Sequence, residues 1–210
     1  MTARGGRVAI RFRRPDGAAL DRFLRDAEEQ PLSYARNGGV DAGAPNGFDR
    51  DHHCVRLGHG AAAFAAARSA LARFAMFPPA WADVTPCDGA FTVGRTLALR
   101  FRLFGLWWLN GARIVERFDT PRDAPDATAR FGFAYGTLTC HVESGEERFM
   151  VERRPDDSVW YDLRSFSRPR FIAARALKPV VRRLQRRFVR GSLAAMVRAV
   201  TDPAVATPGE

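Results

Sequence analysis

The chain has 210 residues and an apolar fraction of 46%, enough for one domain with a substantial core. Its longest apolar runs, 61–67 and 103–109, fall far short of the ~20 residues of a membrane span, and no apolar segment follows the basic residues 1–14 as an export signal would require. The net charge of +10 is localised: residues 168–200 hold nine Arg and one Lys with no Asp or Glu, whereas elsewhere 23 basic residues balance 23 acidic ones.

Three scattered cysteines, Cys54, Cys87 and Cys140, exclude a disulfide scaffold and favour a soluble protein of the reducing cytoplasm. Sixteen Phe and four Trp supply bulky core material.

In chain order, residues 7–12 predict a short strand. Pro15-Asp16 then opens a helix to about Gln30, with Leu20, Phe23, Leu24 and Ala27 on one face. Residues 37–51 are rich in Gly, Asp, Asn and Pro and read as a long loop. These first 50 residues are expected to form an N-terminal appendage, ahead of a main domain over 51–201 and a disordered tail over 202–210.

His52 to Leu57 predicts a strand, and Gly58-His59-Gly60 breaks it. A helix follows whose buried stripe is Phe64, Ala67, Leu71 and Phe74, stopped by Pro78-Pro79. Six further period-two segments predict strands at 82–85, 93–103, 107–118, 128–138, 145–154 and 158–167. Pro155-Asp156-Asp157 is a hairpin turn between the last two. The finish is helical, with Leu177, Val181, Leu184 and Phe188 on one stripe, arginines on the other faces, and Pro179 as its kink or first residue.

The predicted class is therefore α+β. A seven-stranded antiparallel sheet must cover its apolar face, and the final helix is the element long enough to do so. That arrangement resembles the helix-grip fold of the START and pollen-allergen-like superfamily, a resemblance that implies a curved sheet, a cavity beneath the helix and an apolar small molecule or lipid within it. Several motifs are more specific: Arg56-Leu-Gly-His-Gly60 with Phe64; Gly105-Leu-Trp-Trp-Leu-Asn110 with Arg113; residues 131–138; His141 with Glu143 to Phe149; Val159-Trp-Tyr161; Phe166-Ser-Arg-Pro169; and Leu184-Gln-Arg-Arg-Phe188. Together, from Leu32 to Val200, they resemble the domain of unknown function 1990 family. The resemblance implies a START-like fold and carries no catalytic role.

Tyr135 and Thr137 share a strand face with Phe131 and Phe133, which suits a ligand cavity with aromatic walls and a few hydroxyls. Trp108 is assigned as a further wall and Arg113 as an anchor for a polar or anionic head. His141, with Glu143 or Glu147, is the candidate for general acid–base work. The plainer alternative is that Glu146, Glu147 and Arg148 form cross-strand ion pairs while His141 caps a turn. His52, His53 and Cys54 do not make a metal site, because neighbouring strand residues point to opposite faces and the paired ligand spacing is missing. No cofactor motif is recognisable.

Arg183, Arg186, Arg187 and Arg190 fall at i, i+3, i+4 and i+7 and form one helix face suited to an anionic surface. A membrane fits that face better than nucleic acid, since no Trp or Tyr is interleaved with the arginines. A solvated face, or one paired with Glu146, Glu147 or the acidic residues of the first helix, is the bland reading.

Overall fold

The computed structural model describes residues 8–36, 38–89, 91–171 and 178–202. Its strands are β1 Ala9–Arg11, β2 Asp49–His59, β3 Ala82–Thr85, β4 Thr96–Leu103, β5 Leu106–Thr120, β6 Ala129–Thr137, β7 Glu143–Arg153 and β8 Ser158–Pro169. Its helices are α1 Gly17–Glu28, α2 Gly60–Ala72 and α3 Lys178–Thr201. All neighbouring strands are antiparallel, in the order β2-β8-β7-β6-β5-β4-β3. The seven predicted strands are all present. The short strand expected at 7–12 is β1, which pairs with Leu109, Trp108 and Trp107 along the part of β5 that β6 does not reach.

Local chemistry explains the punctuation. Asp16 caps α1 by accepting the Ala19 N–H at 2.8 Å. In the β7–β8 turn Asp157 takes a positive φ of 62°, and the Asp156 carboxylate accepts the Ser158 N–H. Pro179 lies in the first turn of α3, where its missing N–H costs no helical hydrogen bond. The stripe residue Leu177, Arg7 of the first strand, and the tail from residue 203 lie outside the described residues.

Alternation divides the sheet into two covered faces. Leu99, Ile114, Phe133, Phe149, Tyr161 and Leu163 point to the inner face, where they pack with Leu71 of α2 and with Phe188, Val189 and Met196 of α3. Ala98 and Leu109 point the other way and meet Leu20 of α1, while Ala27 packs on Leu138 and Cys140. Within the expected N-terminal appendage, β1 pairs with β5 and α1 packs against the sheet. The expected boundary at residue 50 falls inside β2, which begins at Asp49 because β8 offers pairing partners from Ser158 to Ser167. The fold is a helix-grip α+β architecture, with α3 lying along β2, β8 and α2. No described helix is long and apolar enough to cross a membrane.

Candidate functional site

The inner face is aromatic in one half and polar in the other. In the aromatic half, Phe133 lies 4.3 Å from Phe91 and 5.4 Å from both Phe74 and Phe149, ring centre to ring centre. Phe131 lies tilted against Phe91, ring centres 5.6 Å apart, and carries the Arg68 guanidinium over its ring at 4.3 Å. Both rings are therefore buried among other aromatic side chains. Trp108 stands at the far corner of the sheet opposite Phe101, partly accessible, its indole N–H directed to the Leu103 carbonyl.

The polar half lies under the N-terminal half of α3. Glu143 and Glu147 alternate with Ser144, Glu146 and Arg148 along β7, so the two sets point to opposite faces. Tyr135 on β6 donates to Glu147 at 2.5 Å. Gln185 of α3 donates to Glu143 at 2.6 Å and to Ser167 of β8 at 3.0 Å. Arg182, one turn earlier, grips Asp51 of β2 through both terminal nitrogens, at 2.6 and 2.8 Å. Tyr161 shares a 2.8 Å hydrogen bond with Ser192, a fully buried polar residue on the apolar side of α3.

Glu143 and Glu147 each retain some accessible surface, yet protein encloses them deeply. Both side chains are thus partly accessible within a densely packed surround. Burial pushes the Glu147 carboxyl up to about 7; the Tyr135 hydrogen bond works against the shift, while the charges of Glu143 and Asp51 add to it. Burial likewise raises Glu143 to about 7, against the opposing pull of Gln185 and Arg182. Tyr135 and Tyr161 are driven well above the usual phenol range, first by burial, so both remain neutral donors.

Three expected site residues lie elsewhere. His141 is buried, and its Nδ1 accepts the Glu143 N–H at 2.9 Å, so it caps a turn, and among the described residues it pairs with no carboxylate. Burial, with help from Arg170, pushes its pKa down to about 3 and keeps the ring neutral. Arg113 points to the outer face and donates to the carbonyls of Ala27 and Glu28, at 3.4 and 2.7 Å, closing the C-terminus of α1. Thr137 is buried at the end of β6, its hydroxyl shared with Ser33 at 2.6 Å and with both backbone groups of Gly145. Sequence reading missed Asp51, Tyr161, Gln185 and Ser192. A signal for Ser192 existed: it sits between Phe188 and Met196 at i+4 spacing, a hydroxyl on an apolar stripe.

The outer face carries an ionic network beneath residues 32–48. Glu146 accepts from Tyr34 at 2.5 Å, from the Val40 N–H at 2.9 Å and from Arg36 at 3.2 Å. Gly136 makes this geometry available: a Cβ there would lie 2.5 Å from the Tyr34 hydroxyl. Arg148, 3% exposed, bonds Asp162 at 2.6 Å and also Asp41, and Asp162 meets His52 at 2.6 Å. His52 and His53 point to opposite faces, as alternation requires. Two concavities, of about 260 and 570 Å³, open beside α1; Leu109 and Cys140 line the first and Arg113 the second.

On α3, Arg183, Arg186, Arg187 and Arg190 are all exposed. The expected pairing with Glu146, Glu147 or the acidic residues of α1 does not occur among the described residues, since Glu146 and Glu147 are engaged by Tyr34, Arg36 and Tyr135.

The fold is a helix-grip α+β domain whose inward face carries two carboxyls that burial raises toward neutrality. The profile of the family described as "Domain of unknown function (DUF1990)" matches residues 33–195, and the chain belongs to this family. A "UPF0548 protein" of Deinococcus radiodurans is 36% identical over 197 residues, covering 90% of this chain and 97% of the relative. Another of Dictyostelium discoideum is 32% identical over 206 residues, covering 90% and 94%. A solved hypothetical protein from Helicobacter pylori covers 78% of this chain and 96% of its own at 14% identity, with a TM-score of 0.47.

Proposed function

We propose that this domain binds a small, partly apolar molecule in the recess between the sheet and the N-terminal half of α3, with Tyr135 and Glu147 holding its polar head. The observation that carries this reading is Glu147. It stands in mid-strand on the inward face, yet it keeps accessible surface and a carboxyl near neutrality. A carboxyl in that state both donates and accepts hydrogen bonds at pH 7, which suits a hydroxyl, amide or amine head. Phe149 and Tyr161 supply an apolar floor beside it. Arg182 is committed to Asp51, which weighs against the anionic head expected from Arg113.

Native mass spectrometry and solvent extraction of the purified protein test this. The expected result is a small molecule bound at unit stoichiometry, with amide shifts centred on β7 and residues 182–189. Glu147→Ala and Tyr135→Phe should each weaken binding roughly tenfold or more, the loss of one buried hydrogen bond. Saturation of the cavities beside α1, with no response in β7, overturns the reading.

The same carboxyl favours one second reading, proton transfer on the bound molecule, with Glu147 as acid or base and Glu143 beside it. Conversion of the ligand that survives Glu147→Gln eliminates it.

A further inference from the structure

We propose that the exposed face of α3 docks onto an anionic lipid bilayer. Arg183, Arg186, Arg187 and Arg190 occupy one side of the helix, and Arg198 continues the row toward its end. The opposite side, with Phe188, Ser192, Ala195, Met196 and Ala199, is buried. No Asp or Glu lies on α3, and among the described residues none of these five arginines forms an ion pair with a carboxylate. Arg186 lies within electrostatic reach of Asp51, whose charge Arg182 already holds. Arg187 rests over the Trp81 ring at 4.7 Å, a contact that leaves its charge exposed.

The shape of this face selects the partner. α3 is seated against β2, β8 and α2, so its basic side is a shallow ridge and not a free rod. A major groove about 12 Å wide admits a helix that protrudes, and a seated one cannot enter it. Single-stranded nucleic acid calls for exposed aromatic platforms, and the described basic face presents none. A planar anionic surface needs only a row of cations at equal height. Val180, 41% exposed in the first turn beside Arg183 and Arg187, adds an apolar contact at that surface. Each basic residue near such a surface contributes about fivefold to partitioning.

The test uses the full chain and vesicles of phosphatidylcholine with or without one-third phosphatidylserine, in a sedimentation assay. Expected are binding to the anionic vesicles alone and a steep fall between low and high salt. The combined Arg183→Gln, Arg186→Gln, Arg190→Gln variant should lose about a hundredfold in partitioning with an unchanged melting temperature. Neutralising Arg22, Arg25 and Arg102, exposed arginines elsewhere, is the control for net charge and should have little effect. Equal binding to neutral vesicles overturns the proposal, as does equal loss in the two triple variants. Tighter binding to an RNA or DNA oligomer at matched phosphate overturns it in favour of nucleic acid.

Discussion

Tyr135 of β6 and Glu147 of β7 stand directly opposite each other in the sheet and share a 2.5 Å hydrogen bond on the face that α3 covers. Phenol and carboxyl are held by each other, so Glu147 stays enclosed without a cation beside it. Burial raises its pKa against the pull of the Tyr135 hydrogen bond, and that shift makes the enclosure measurable.

Glu147 should impose a pH dependence on stability. Its carboxyl sits at about 7 in the folded chain and near ~4.3 when unfolded. Between those values the folded state binds more protons, so stability falls as pH rises through the window and levels off above it. Glu147→Gln should remove this component. Relative to the parent, the variant should gain about 1 kcal/mol at pH 7.5 over pH 5, a figure discounted for its accessible surface. Urea unfolding at the two pH values measures it.

His141 should act with the opposite sign. Its folded pKa of about 3 lies below the ordinary ~6.5, so the folded state binds fewer protons between them and stability is lost as pH falls through that range. His141→Asn can still accept the Glu143 N–H, and should keep most of the stability at pH 7 while flattening the acid limb. His141→Ala leaves that N–H unpaired and should cost about 1–3 kcal/mol. A His141→Ala protein of parental stability would contradict the capping role.

The Arg148–Asp162 pair should be costly to break from one side only. Both side chains are buried. Burial opposes ionisation of Asp162, but hydrogen bonds from His52 and Arg148 hold its carboxyl below the usual range. Asp162→Ala should destabilise by about 3 kcal/mol, because an uncompensated guanidinium stays buried with only the half-exposed Asp41. Adding Arg148→Met to that variant should recover part of the loss, a test suited to a double-mutant cycle.

Asp51 should clamp the first turns of α3. Its paired charge is held below the ordinary carboxylate range, chiefly by the Arg182 hydrogen bonds. Asp51→Asn should speed hydrogen exchange at residues 182–186 while residues 192–199, packed on α2 and the sheet, stay protected. The parent should show the same loosening as pH falls through the folded pKa of Asp51. Uniform exchange along α3 in both proteins would refute the clamp.

Much of the frame was legible in the sequence because it is periodic. Alternation of Leu97, Leu99 and Phe101 with Ala98, Arg100 and Arg102 marks a strand with two different faces, and the stripe through Leu184 and Phe188 marks a helix. The excess of positive charge at 168–200 is a matter of counting. Alternation along β7 also turns Glu143 and Glu147 away from Glu146 and Arg148, a division missed because the strand expected there begins only at residue 145. It could not tell which face α3 would cover, since that follows from which strands pair and how the chain returns over them. Nor could it bring together Asp51 and Arg182, 131 residues apart, or turn Arg113 outward onto α1. The start of β2, from Asp49, escaped notice because its stability comes from pairing with β8 and not from its own residues. The state of Glu147 belongs wholly to tertiary structure: whether a carboxyl is solvated, paired or enclosed depends on neighbours such as Tyr135 of β6 and Asp51 of β2, and no local pattern records them.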